Sequence, residues 1–123
     1  RVKFQSVCHS PVGIAQARGD LSERAALFHP QRYLLSNMLG DEASWVERSD
    51  CYELATFDTI VIASDGLWDN LFCDEIIEIV CQGALVQAGR RLAHSARQRM
   101  LTAEDNVPSK PDDLSFVLYR PHT

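Results

Sequence analysis

The chain has 123 residues, 46% of them hydrophobic and 24% charged, the balance of one small globular domain or part of one. Its net charge of −5 argues against a nucleic-acid surface, which needs a basic face. No apolar run approaches the about 18 residues that a membrane span requires, and no signal peptide is visible.

In chain order, Pro11, Gly13 and Gly19 interrupt any period over residues 1–20, which predicts loop and a weak strand. Residues Ser22 to Phe28 suit a short helix capped by Ser22 and stopped by Pro30. Tyr33 to Met38 reads as a strand ending at the Gly40-Asp41 turn. Cys51 to Thr56 alternates enough for a half-exposed strand. Phe57-Asp58 would turn it into a hairpin with the next segment.

That next segment, Thr59 to Ala63, is short, apolar and rich in β-branched residues. It predicts a strand buried on both faces. It stops at Ser64-Asp65-Gly66-Leu67-Trp68-Asp69-Asn70. Asp-Gly after a strand is by itself a turn signal. Here no hairpin alternation follows, so the chain is expected to pass through a tight loop into a helix. Trp68, like Trp45, is assigned to packing.

A helix beginning at Cys73 or Asp74 has Asp74 and Glu75 at the positive end of its dipole. Its apolar stripe is Ile76, Ile77, Val80 and Ala84, and Gly83 offers a stop. A second helix, Leu85 to Leu101, places Leu92, Ala93, Ala96 and Met100 on one face. Gly89 weakens it, and Arg90, Arg91, Arg97 and Arg99 are given to a solvated face. The polar stretch from Thr102 to Lys110 then delivers Asp112-Asp113 to a last strand, Leu114 to Arg120.

If the strands Thr59–Ala63 and Leu114–Arg120 pair antiparallel, the end of one meets the start of the other, and Asp65 comes beside Asp112. Two carboxylates held together repel unless a proton or a cation intervenes. Oxygen-only donors favour magnesium, manganese or calcium over zinc. His9, His29, His94 and His122 form no HExxH pair, and the cysteines no CxxC pair. Cys8, Cys51, Cys73 and Cys81 instead suggest free thiols in a reducing intracellular compartment, cytoplasmic or mitochondrial.

Asp58, the strand after it, SDGLWDN, the helix DEIIEIV and KPDDLSFVLY together resemble the metal-dependent, type 2C serine/threonine protein phosphatases. ASDGLWDNL and KPDDLSFVL look most like the branch of the T-cell-activation and azacytidine-resistance phosphatases. The likeness is strong over residues 58–80 and 110–119, loose over 33–57, and absent from the first thirty. It implies an α+β fold, part of a sandwich of two antiparallel sheets flanked by helices. It also implies two Mg2+ or Mn2+ ions in the complete enzyme, and a phosphoprotein substrate. Carried over by motif, Asp65 and Asp112 become metal ligands. Gly66, Asp69 and Asp113 become supporting residues, with Asp69 capping backbone amides.

The family's early acidic pair and its first DG motif have no counterpart here, and the chain opens on Arg1. Residues 1–123 are therefore expected to be the C-terminal portion of a single domain whose N-terminal half is missing. An aspartyl-nucleophile phosphotransferase is disfavoured, because Leu67 stands where its second aspartate belongs. An inactive truncated or pseudophosphatase fragment, serving only protein interaction, is the other alternative.

Overall fold

The computed structural model describes residues 1–121, which form two compact units, one of residues 2–52 and one from Glu53 onward. His122 lies outside the described residues.

The first unit is built on two short helices, α1 (Pro11–Ala17) and α2 (Glu23–Leu27). Residues predicted as loop and weak strand thus contain a helix, and its end signals explain why. Ser10 accepts a hydrogen bond from the Gly13 amide at 2.9 Å, and Pro11 occupies the first turn, where its missing N–H costs nothing. At the other end Gly19 adopts φ +83°, and Asp20 donates to the Ala15 carbonyl at 2.9 Å. That is the glycine-closed C-terminus of a helix. Helix α2 matches its prediction, with Ser22 accepting from the Ala25 amide.

The strand expected over Tyr33 to Met38 is not formed. Turns occupy its start, and Asn37 is drawn to Trp45, accepting from its amide at 3.1 Å and donating to its carbonyl at 2.7 Å. Trp45 packs at the surface. It is 47% exposed, with its ring 5.2 Å from that of His9.

The second unit begins irregularly. Cys51 to Thr56 pairs with no strand among the described residues, so the predicted hairpin is absent. Asp58 instead closes a turn, its carboxylate accepting from the Ala55 amide at 2.7 Å. Then come β1 (Ile60–Ala63), α3 (Asp65–Trp68), α4 (Cys73–Val80), α5 (Leu85–Leu101) and β2 (Phe116–Tyr119). Both helices α4 and α5 fall where periodicity puts them. Glu75 reaches back to accept from the Phe72 amide at 2.8 Å, fixing the start of α4.

Strands β1 and β2 pair antiparallel, Ile60 opposite Tyr119 and Ala63 opposite Phe116. One face of this sheet carries Val61, Ala63, Phe116 and Leu118, packed against Leu67, Leu71, Ile76, Val80, Leu92 and Ala96. Ala88, Leu92 and Ala96 are fully buried at four-residue spacing, so α5 lays a narrow stripe on the core. Full burial of a leucine such as Leu67 or Leu92 contributes about 2–3 kcal/mol.

The other face of the sheet is open. Ile62 is 65%, Val117 61% and Tyr119 53% exposed, which corrects the expectation of a strand buried on both sides. The described residues supply two strands and helices on one face only, so the apolar run in β1 has nothing opposite half of it. The two-sheet sandwich is likewise not seen: the described sheet is a single antiparallel pair with helices.

Candidate functional site

The antiparallel register brings the C-terminal end of β1 to the N-terminal end of β2, and the chain continues this pairing past both strands. Ser64 donates its amide to the Ser115 carbonyl at 2.8 Å. Its hydroxyl accepts from the Ser115 amide at 3.1 Å and donates to the Asp113 carbonyl at 3.3 Å. With its side chain used in this way, Ser64 makes no side-chain cap on α3, which begins at Asp65.

Gly66 is buried against the backbone of Asp113. A β-carbon there would overlap the Asp113 carbonyl oxygen and touch Leu114. The lack of a side chain at Gly66 therefore lets the segment before β2 cross the first turn of α3. This close approach sets Asp112 beside Asp65. The neighbour that Gly66 admits is this chain's own backbone.

Asn70 holds the same crossing from the opposite side. Its side chain is fully buried, and its amide group donates to the carbonyls of Gly66 and Lys110, both at 2.9 Å. Its side-chain oxygen accepts from the Lys110 amide at 2.7 Å. Both backbone polar groups of Lys110 are thus engaged by one buried side chain. Buried Pro108 precedes this segment, and Ser109 ties it to α5 by donating to the Arg99 carbonyl at 2.6 Å. Arg99 also turns inward, bonding Glu75 at 2.5 Å, whereas Arg90, Arg91 and Arg97 keep the solvated positions expected of them.

With its backbone pinned, Lys110 sends its ammonium into a ring of carboxylates. Nζ lies 2.6 Å from an Asp69 oxygen, 3.2 Å from Asp112 and 3.4 Å from Asp65. Its side chain is 26% exposed, as against 20% for Asp69, 32% for Asp112 and 66% for Asp65. Burial alone lowers a lysine pKa. Here the hydrogen bond and charge of Asp69, then Asp112 and Asp65, outweigh it and hold the ammonium above its ordinary value. The Asp112 carboxyl is held below its ordinary value, first by the Asp113 amide that donates to it at 2.8 Å and next by Lys110.

Asp65 and Asp112, predicted to converge, do meet around one positive charge. Asp69 joins them through Lys110, a role different from the backbone capping expected of it. Asp113 is exposed and takes part through its backbone, accepting from Ser64 and facing Gly66. Sequence reasoning missed Lys110, Asn70 and Ser64. Asn70 closes the DGLWDN phrase and Lys110 opens KPDD, so both stood inside motifs already singled out.

At the far end of the sheet, Arg120 donates to the carbonyls of Val80 at 2.6 Å and Gly83 at 3.1 Å, and to the Thr59 hydroxyl at 3.0 Å. It thus closes the C-terminus of α4. Cys8, Cys51, Cys73 and Cys81 form no disulfide with one another. No described helix is long and apolar enough to cross a membrane. No group of three or more His, Cys, Asp or Glu suited to a metal ion occurs among the described residues.

No family model matches the chain, and no curated protein matches it. A solved structure does: serine/threonine phosphatase Stp1 from Staphylococcus aureus, with a TM-score of 0.70 at 22% sequence identity. The match covers 100% of this chain and 45% of that one. The chain therefore has the fold of part of a serine/threonine phosphatase, spanning less than half of that protein's length.

Proposed function

We propose that this chain is the C-terminal portion of a type 2C-like phosphatase domain that hydrolyses phosphoserine and phosphothreonine in proteins. In this reading Asp65 and Asp112 are ligands to Mg2+ or Mn2+. The observation that carries it is the convergence of Asp65, Asp69 and Asp112 on one positive charge at the β1–β2 end, in a chain with a phosphatase fold. The finer likeness to the T-cell-activation and azacytidine-resistance branch rests on the ASDGLWDNL and KPDDLSFVL phrases.

The donor chemistry suits the group. The converging side-chain atoms are carboxylate oxygens, which hard divalent cations prefer, and they already gather around a cation. Asp65 and Asp112 would hold such an ion, and Asp69 would complete the negative field beside it. In metal-assisted phosphoester hydrolysis, bound ions activate a water and stabilise charge on the phosphoryl oxygens.

The chain's own residues supply placement. Gly66 and Asn70 lock α3 against the 110–114 segment, so the two carboxylates are positioned by backbone packing rather than by flexible loops. The Asp113 amide and the Lys110 ammonium hold the Asp112 carboxyl below its ordinary value, which favours its ionised form. With a third ligand lacking among the described residues, the 123 residues alone are expected to show no turnover.

The longer protein that this reading implies should dephosphorylate phosphoserine and phosphothreonine peptides only with Mg2+ or Mn2+, and Asp65→Asn should remove most of that activity. Unchanged turnover in excess chelator would exclude the proposal. The rival reading, an inactive interaction fragment, is favoured by the open apolar face of Ile62, Val117 and Tyr119. It gains if the longer protein binds a partner through that face and never turns over phosphopeptide. Four cysteines outside any disulfide suit an intracellular setting, cytoplasmic or mitochondrial.

A further inference from the structure

We infer that the solvent face of α5 is a docking surface for an acidic partner protein, one that presents a run of aspartate or glutamate side chains. The inference goes beyond the phosphatase reading and does not depend on it.

Helix α5 is 17 residues long and contains no Asp or Glu, in a chain where acids outnumber Lys and Arg by 17 to 12. Arg90, His94 and Arg97 follow one another at four- and three-residue spacing and so form one line along the helix. Arg91 flanks that line. All four are exposed, whereas Ala88, Leu92 and Ala96 of the same helix are buried in the core. Among the described residues, no carboxylate lies within ion-pair distance of Arg90, Arg91 or Arg97. Arg91 donates to the Gln82 side-chain oxygen at 3.2 Å, a neutral partner.

An ordinary solvated helix face interleaves acids with bases, and the i, i+4 pairs support the helix. Here like charges stand side by side and no acid relieves them. The helix dipole does not account for them either. It favours cations in the last turn, where Arg99 already stands, and Arg90 and Arg91 lie in the first half of the helix. Their charge is thus left for something outside the chain.

Charge complementarity makes that occupant anionic, and the rest of the surface decides its class. Three guanidiniums are few beside the about 6–10 phosphate contacts of a nucleic-acid binder, and the net charge of −5 repels a phosphate backbone at long range. A helix lying on a membrane needs an apolar face free to enter lipid, and the apolar face of α5 is packed into the core. A protein segment meets neither obstacle. Arg90 and Arg97 are about 10.5 Å apart along the axis. Alternate side chains of an extended acidic segment lie about 7 Å apart on one side, a spacing that two long arginine stems can match. Each guanidinium fork then takes one carboxylate.

Fluorescence anisotropy of a labelled peptide of alternating aspartate and serine, titrated with the 123-residue chain, tests this. The chain should bind it in preference to the asparagine–serine counterpart, and binding should weaken as salt rises from about 50 to about 300 mM. Arg90→Gln/Arg97→Gln should weaken binding about tenfold, equivalent to about 1.4 kcal/mol for two exposed charge pairs. Glutamine is nearly as good a helix former as arginine, so circular dichroism should be unchanged. Arg18→Gln/Arg48→Gln removes the same net charge from exposed positions elsewhere and should bind like the unaltered chain.

Equal binding of the two peptides, or equal losses in the two double variants, would overturn the docking surface. Duplex DNA or phosphatidylserine vesicles binding more tightly than the aspartate peptide, through the same two arginines, would overturn its assignment to a protein. Self-association in sedimentation that is lost in Arg90→Gln/Arg97→Gln would give the face to a second copy of this chain instead. None of these outcomes touches the phosphatase reading, which stands or falls on metal-dependent turnover.

Discussion

Changing Asn70 to aspartate alters one heavy atom and tests the clamp on which the site geometry depends. The side-chain oxygen that receives the Lys110 amide is retained. The atom that donates to the Gly66 and Lys110 carbonyls, each at 2.9 Å, becomes an acceptor facing two acceptors. The Gly66 and Lys110 carbonyls each lose their donor at about 2 kcal/mol, giving roughly 4 kcal/mol at neutral pH. A protonated carboxyl can return one of those bonds, so burial and the facing carbonyls raise the folded-state pKa of this new group above its unfolded value. The folded variant then binds more protons than the unfolded one, and its deficit relative to the unaltered chain shrinks as pH falls through the raised pKa. Urea unfolding midpoints of both proteins at pH 7 and pH 5 measure this. A loss below about 1 kcal/mol at pH 7, or a deficit that grows at pH 5, would refute the clamp.

Other predictions follow from the same contacts. Gly66→Ala should destabilise the chain by about 1–3 kcal/mol, since the new methyl meets backbone rather than a yielding side chain; thermal denaturation reads this, and an unchanged midpoint contradicts the close approach. Arg120→Met should cost about 1–2 kcal/mol by leaving the Val80 and Gly83 carbonyls unserved, with amide exchange accelerating first in the last turn of α4. Because Asp112 has a folded pKa below its unfolded value, its contribution is present above the unfolded pKa and lost as pH falls through the folded one. The stability gap between the unaltered chain and Asp112→Asn should therefore be visible at neutral pH and close in acid. A gap independent of pH would count against the ionised cluster.

Much of the second unit is legible in the sequence, because its elements carry local signals strong enough to survive any tertiary context. Helix α5 runs from Leu85 to Leu101 as its apolar spacing demands, and Gly83, at φ +70°, separates it from α4 as a glycine stop should. The pairing of β1 with β2 follows from two short apolar runs, each with acid at one end. The first unit resisted the same treatment. Helix α1 has 7 residues, too few for a period to show, and only its Ser10-Pro11 start and Gly19 end mark it. The apolar residues of 33–38 and 51–56 satisfy a strand pattern but find no partner strand among the described residues, and alternation without a partner leaves irregular chain.

What the sequence by itself determined is the kind of chemistry: carboxylates placed at strand ends, oxygen donors without histidine or cysteine company, and motifs resembling a phosphatase family. What tertiary structure alone decided is how those carboxylates are occupied and held. Lys110 lies 45 residues from Asp65 and 41 from Asp69, and Asn70 reaches 40 residues ahead to the Lys110 backbone. Separations of that length leave no local trace. A lysine before a proline and an asparagine after an aspartate look like ordinary turn and surface residues. Only the crossing permitted at Gly66 turns them into a cation among three acids and a buried clamp beneath it.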